Sequence, residues 1–201
     1  MAIETEIEAK FLDVDHDTLR AKLRELGAVC VQPMRDMRRT IYDFPDGRLQ
    51  DAHSFVRVRD EGDKVTLSYK QSAERTVHGT KEVCLTVDSF AAAGTFLEAL
   101  GMKPKARHET RRESWLLGDT QIELDEWPWV PCFAEIEAAD EATLWEAARR
   151  LDLDPDQAIH GTAEILYTTL YDVTDNEVNL WADISFGEVP DWLEKRRRPL
   201  A

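Results

Sequence analysis

The sequence predicts an α+β protein in which antiparallel strands close into a barrel with a charged interior and helices packed outside. Three observations carry this prediction. Short segments of strict two-residue alternation recur along the chain. Three segments of helical period interrupt them, starting near residues 16, 89 and 141. The polar face of one strand after another carries charges paired at i and i+2.

The elements follow in order. Glu4-Thr5-Glu6-Ile7-Glu8-Ala9-Lys10-Phe11 alternates, so positions 4, 6, 8 and 10 share one face of a strand. Leu19, Leu23 and Leu26 then recur at helical spacing, with Asp15 or Asp17 as cap and Gly27 as stop. Arg39 to Phe44 reads as a strand running into a turn at Pro45-Asp46-Gly47. Ser54 to Arg59 and Lys64 to Lys70 form a hairpin around 60–63, and 71–80 is expected to be a mobile loop. Lys81 to Val87 is a strand feeding a helix through Phe90, Phe96, Leu97 and Leu100, capped by Asp88 or Ser89 and ended by Gly101. Arg107 to Leu117 and Thr120 to Asp125 form a second hairpin around Gly118-Asp119. Phe133 to Glu137 is a strand, and Asp140 caps a helix through Leu144, Trp145, Ala148 and Leu151. The strand–Asp–helix unit thus recurs three times as a weak internal repeat.

From Asp172 the pattern is less regular. This tail starts acidic, turns apolar at Leu180-Trp181 and Ile184-Ser185-Phe186, and ends Lys195-Arg196-Arg197-Arg198. A docked helix with a basic end suited to the helix dipole is expected ahead of a nucleic-acid tail.

Composition bounds the function. The 201 residues carry a formal net charge of -15, which disfavours sequence-independent nucleic-acid binding. Residues 1–10 show no basic-then-apolar signal pattern, and no apolar run approaches a membrane span, so a cytoplasmic protein is expected. Cys30, Cys84 and Cys132 lack CxxC spacing and sit among apolar neighbours, so they are expected to be reduced and buried. The histidines at 16, 53, 78, 108 and 160 show no ligand spacing, so zinc is not expected.

The paired charges need a physical account. Glu6 and Glu8, Arg57 and Arg59, Glu123 and Asp125, and Glu135 and Glu137 each lie on one strand face, and the opposite faces are apolar. Any one pair could be an ordinary solvated face. The three helices, however, must cover the apolar faces. A sheet closed on itself then turns the charges inward, around a wet lumen. Crowded like charges there need compensation. Divalent cations neutralise the carboxylates, a polyanion neutralises the Lys and Arg residues, and a metal–triphosphate complex does both. The oxygen-only donors suit Mg²⁺ or Mn²⁺.

At these residues the chain resembles the CYTH superfamily of triphosphate tunnel metalloenzymes. Glu6-Ile7-Glu8-Ala9-Lys10 is similar to the family's N-terminal ExExK signature. Ile41-Tyr42-Asp43 with Asp46 and Leu49 resembles its Tyr-x-Asp strand and turn, Arg57-Val58-Arg59 its RxR strand, and Lys70 its partner-strand lysine. Glu82, Arg112 ahead of Trp115, Leu124-Asp125 and Glu135-Ile136-Glu137 continue the match in order, over residues 4–153. The resemblance implies an eight-stranded antiparallel tunnel over 1–171 with a tail at 172–201. It implies that Lys10, Arg57, Arg59, Lys70 and Arg112 bind the phosphates, and that Lys10, Glu82 and Arg112 act in catalysis. Glu6, Glu8, Asp125, Glu135 and Glu137 are implied as metal ligands, with Glu82 orienting metal-bound water or a basic partner. Thr110 departs from the pattern, where the family often has lysine, and the usual C-terminal segment is not evident in 160–167.

The activity implied first is metal-dependent hydrolysis of tripolyphosphate or an organic triphosphate such as ATP or thiamine triphosphate. The alternatives are a class IV adenylate cyclase and a non-catalytic polyphosphate-binding module. No membrane partner is expected, and some family members form homodimers. Trp127-Pro128-Trp129 is either a packed turn or a stacking surface at the tunnel mouth, with the packed turn preferred.

Overall fold

The computed structural model describes residues 4–72, 76, 77 and 80–199. Of the mobile loop expected over 71–80, residues 73–75, 78 and 79 lie outside the described residues. The chain opens with two strand segments, β1 (Glu4–Glu6) and β2 (Glu8–Leu12), separated only by Ile7. There follow α1 (His16–Glu25), β3 (Val29–Asp43), α2 (Arg48–Asp51), β4 (Ser54–Asp60), β5 (Val65–Ser72) and β6 (Thr80–Val87). Then come α3 (Phe90–Ala99), β7 (Lys103–Leu117), β8 (Thr120–Glu126), β9 (Phe133–Glu137) and α4 (Glu141–Arg150). The remainder holds a 3₁₀ turn (Pro155–Gln157), α5 (Glu164–Leu170), α6 (Asp175–Val178), the two-residue β10 (Asp183–Ile184) and α7 (Asp191–Glu194).

The strands form one sheet in the order β1-β6-β5-β4-β3-β7-β8-β9-β2, antiparallel throughout that path. The path begins and ends on one stretch of chain: β1 pairs with β6, and β2 with β9. The split first strand therefore joins both ends of the sheet, and counting it once leaves eight strands around the closed path. β10 adds in parallel to β7 at Arg107 and His108, on the edge that β8 leaves free beyond Arg111.

The helices cover the outside as amphipathic elements must. Leu19 and Leu23 of α1 and Leu144 and Ala148 of α4 share a core with Trp115, Ile122, Leu124, Ala134 and Ile136. Ala93 and Leu97 of α3 pack with Tyr42 and Val58. Asp15, Ser89 and Asp140 cap these helices by accepting from the N–H groups of Thr18, Ala92 and Thr143. A third core joins Trp127 and Phe133 to Leu166, Tyr167, Leu170 and Ile184 of the C-terminal elements.

Several expectations need correction. β3 begins at Val29, ten residues before the strand read from Arg39. Residues 29–36 pair only with β7, and most of them are exposed, so they carry no one-sided alternation to detect. β7 begins at Lys103 rather than Arg107. Cys30 and Cys84 are exposed and Cys132 is half-buried: Cys30 sits in the largely exposed 29–36 stretch, and Cys84 lies near the charges of Glu82, Arg57, Arg59 and Glu61.

Candidate functional site

The inner wall is built by alternation. On β2, β4, β5, β7, β8 and β9 the residues facing away from the helix-covered cores are Glu8 and Lys10, Arg57 and Arg59, Lys70, Arg112, Asp125, and Glu135 and Glu137. Lys10, Arg39, Arg57, Arg59, Lys70 and Arg112 line one cavity of about 370 Å³, together with Glu8 and Glu135. A protein with a net charge of -15 thus concentrates cations in its interior.

Among the described residues, all of these cations but Arg39 are ion-paired to carboxylates. Lys10 Nζ lies 3.0 Å from Glu8 and 3.1 Å from Glu135. Lys70 bridges Glu6 at 2.8 Å and Glu82 at 3.2 Å, and Arg57 reaches Glu82 at 3.1 Å. Arg112 donates to both oxygens of Asp125, at 2.8 and 2.7 Å, and reaches Glu135 at 3.4 Å. The eleven residues picked from the sequence fall into separate groups: Glu8, Lys10, Glu135, Arg112 and Asp125 form one linked set, Glu6, Lys70, Glu82 and Arg57 a second, Arg59 pairs outside both, and Glu137 lies beside Glu135 and Glu8.

Two charged residues of this wall were not read from the sequence. Arg39 is buried, donates to Thr110 Oγ1 at 2.9 Å and lies 4.5 Å over the Trp127 ring. Its guanidinium thus stands at Thr110, the position where a lysine was missing from the motif. Its presence on the β3 strand between Met37 and Ile41 gave no charge pair to notice. Glu61, read as part of a turn, is buried and accepts from Arg59 at 2.9 and 2.7 Å and from Thr66 at 3.1 Å.

The crowding shifts ionisation in both directions. Burial, with a hydrogen bond to Glu82, raises Glu6 to about 8. Burial also opposes ionisation of Glu82, but the Glu6 hydrogen bond and the charges of Lys70 and Arg57 outweigh it and hold Glu82 at about 2. Burial and the negative charges of Glu135 and Glu8 raise Glu137 to about 7. Glu135 is buried too, yet Lys10 and Arg112 hold it well below the carboxylate range. Burial and the neighbouring Arg57, Arg59 and Arg112 push Arg39 well below the usual guanidinium value.

Donor chemistry tests the fit of a divalent cation. Glu8, Glu135 and Glu137 offer only oxygens, and Glu137 makes no ion pair among the described residues. Glu123 Oε2 is buried without a hydrogen-bond partner among them. A hard cation such as Mg²⁺ or Mn²⁺ matches this set and relieves its repulsion. The close cluster of mixed ligand types among the described residues, His16, Glu126 and Cys132 within 4.8 Å of one another, lies instead on the outer side. There His16 Nε2 is 3.1 Å from the Phe133 carbonyl oxygen.

The cavity changes character along its length. Beyond Arg39 its walls are Trp127, Phe133, Tyr167 and Ile184, with His108 6.0 Å from the Trp127 ring. Trp127 is therefore a buried wall residue, while Trp129 packs against Trp181 at 6.1 Å.

Fold and site together define a closed antiparallel β-tunnel with interlocked acidic and basic walls. The chain belongs to the CYTH domain family, whose model matches residues 4–156. Among solved structures, it resembles a candidate adenylate cyclase of Vibrio parahaemolyticus at TM-score 0.70 and 16% identity, covering 82% of this chain and 98% of that one. A Pyrococcus horikoshii protein matches at TM-score 0.64 and 23% identity, over 76% and 93% of the two chains. The candidate adenylyl cyclase of Hippeastrum, described by a dominant triphosphatase activity, matches at TM-score 0.55 and 16% identity, over 79% and 91%. No curated protein matches. Among the described residues no helix is long and apolar enough to cross a membrane.

Proposed function

We propose that this protein hydrolyses a triphosphate in a divalent-metal-dependent reaction inside the tunnel. The observation that carries this reading is the convergence of Lys10, Arg39, Arg57, Arg59, Lys70 and Arg112 with buried carboxylates on one cavity. Cations alone suit any polyanion. Cations interleaved with oxygen-only acids suit a polyanion delivered with a hard metal ion.

Phosphoryl transfer asks for positioning and charge neutralisation more than for covalent chemistry. Arg57, Arg59 and Arg112 offer forked donors to the phosphate oxygens, and Lys10 and Lys70 offer point charges. Held by Asp125, Glu82 and Glu135, these groups meet the transition state with little reorganisation. Glu6, Glu8, Glu135 and Glu137, with Asp125, would hold the metal, which supplies Lewis-acid stabilisation of the phosphoryl oxygens. Glu82 acts through Arg57 and Lys70, which it holds at 3.1 and 3.2 Å, as a positioning residue.

A class IV adenylate cyclase is the second reading, favoured by the apolar end of the cavity at Trp127 and Phe133. There the ribose 3′-hydroxyl attacks the α-phosphorus and pyrophosphate leaves.

Product analysis with Mg²⁺ or Mn²⁺ separates the two readings. Orthophosphate from tripolyphosphate or ATP, lost in Glu6→Ala, is the expected result. Cyclic AMP with pyrophosphate establishes the cyclase. Tight metal-independent binding without any product leaves a non-catalytic polyphosphate-binding module.

A further inference from the structure

The family match ends at residue 156, yet the chain beyond it stays on the tunnel. Ile159 and Lys10 exchange backbone hydrogen bonds, Lys10 N–H to Ile159 O at 3.0 Å and Ile159 N–H to Lys10 O at 2.8 Å. Arg107 N–H donates to Ala182 O at 2.8 Å, and β10 sets Ile184 opposite His108. The segment is thus pinned to two walls. Between the pins, Thr162, Glu164, Ile165, Tyr167, Asn179 and Ile184 line the same cavity as the phosphate-binding cations.

The end they build does not suit phosphate. Trp127, Ile165, Tyr167 and Ile184 give it apolar walls, and Glu164 sets a carboxylate against the charge of Lys105, the cation nearest this end. Three buried polar atoms here lack a hydrogen-bond partner among the described residues: Glu164 Oε2, Trp127 Nε1 and His108 Nδ1. A buried polar atom left without a hydrogen bond is destabilising, so a ligand that supplies the missing partner is favoured. Their sum is specific. The Trp127 indole donates, the Glu164 carboxylate accepts, and the imidazole of His108 takes either role according to its tautomer. A flat, non-anionic group with both donors and acceptors meets all three between apolar walls. The cavity of about 370 Å³ falls within the roughly 300–1,000 Å³ of sites for organic ligands.

We propose that residues 159–184 form the specificity element of the tunnel and hold the nitrogen-heterocyclic base of a nucleoside triphosphate, so that the protein selects it over inorganic tripolyphosphate. This rests on the triphosphate reading of the tunnel and holds for hydrolase and cyclase alike. Thr162, Glu164, Asp175 and Asn179 are polar residues of this segment in the cavity lining, and Ile184 and Tyr167 are walls.

Calorimetric binding at saturating Mg²⁺ tests this without turnover, with the bis-methylene-bridged forms of tripolyphosphate and of ATP (the nucleotide analogue) as probes, since their P–C–P bridges block both hydrolysis and cyclisation. The wild type is expected to bind the nucleotide analogue at least about tenfold more tightly. Glu164→Gln and Asn179→Ala are each expected to weaken the analogue by about tenfold while changing tripolyphosphate by less than about twofold. Thr162→Val replaces either variant if its melting temperature falls. Tripolyphosphate binding as well as the analogue, or parallel losses of both ligands in the variants, overturns the inference and leaves the triphosphate reading intact. Binding of neither probe overturns both.

Discussion

Arg112 has a side chain only 13% exposed, and among the described residues it is the sole cation bonded to Asp125, whose side chain is fully buried. Removing one member of such a pair leaves an uncompensated buried charge and costs about 3–5 kcal/mol. Arg112→Ala is therefore expected to lower the urea-derived unfolding free energy by that amount, besides abolishing triphosphate binding. Arg112→Lys restores charge but not the fork on Asp125, so it is expected to recover more stability than activity. Equal recovery of both counts against the bidentate role. Glu6 and Glu137 carry a second prediction. With values raised to about 8 and about 7, Glu6 is mostly and Glu137 about half protonated at neutral pH, and these protons must leave for a cation to bind. Mn²⁺ affinity is expected to climb between pH 6 and pH 8.5, with proton release seen by calorimetry in buffers of different ionisation enthalpy. The same raised values mean that the metal-free fold is favoured by protons. Their stabilisation is complete below about 4.5 and is lost as pH rises through 7 and 8. A metal affinity flat across this range rules the assignment out. At this scale much of the site was legible, because Glu6, Glu8, Arg57, Arg59, Glu135 and Glu137 come as i, i+2 pairs. Arg39 and Glu61 come singly, and only the register of β3 against β7 and the fold of the 60–63 turn bring them inward.

Among the elements, α3 meets β3 at Gly94. A methyl group added there would lie 2.5 Å from Tyr42 Oη, and Tyr42 is itself buried. Alanine would gain up to about 1 kcal/mol of helix propensity at this position. Overpacking costs about 1–3 kcal/mol and wins unless Tyr42 can withdraw. Gly94→Ala is expected to lower the melting temperature, and Tyr42→Phe in the same chain to recover part of the loss by removing the oxygen. A stabilised single variant shows that the phenol ring yields. The helices were readable from their caps and apolar stripes, and Asp15, Ser89 and Asp140 cap where expected. Residues 29–36 were not, since a strand with one open edge and mostly exposed residues carries no periodic signal. Closure of the sheet was legible only indirectly, through charges too numerous for a solvated face. The device that achieves it, one strand split at Ile7 so that its halves pair with β6 and β9, leaves no mark in an alternation that runs unbroken from Glu4 to Phe11.

For the whole molecule, the question is what holds an interior of opposed charges together before any ligand arrives. The linked pairs answer it: Lys10 with Glu8 and Glu135, Lys70 with Glu6 and Glu82, Arg112 with Asp125. The cations and acids satisfy one another, so the fold does not depend on bound metal as a zinc finger does. Chelation with EDTA is expected to leave the melting temperature unchanged. A triphosphate entering alone draws Lys and Arg away from their acids and leaves the acids unpaired. A triphosphate entering with Mg²⁺ gives the cations phosphate and the acids metal. The two ligands should therefore stabilise jointly and far beyond either alone. At about 100 times its dissociation constant, a ligand adds about 2.7 kcal/mol, or roughly 5–10 °C for a chain of this size. Tripolyphosphate with Mg²⁺ is expected to give a shift of that order, with Mg²⁺ alone or tripolyphosphate with EDTA giving less than half of it. Equal shifts with and without metal would mean that the acids serve only to hold the cations in place, and the protein would then be a phosphate-binding module whose carboxylates never meet a metal ion.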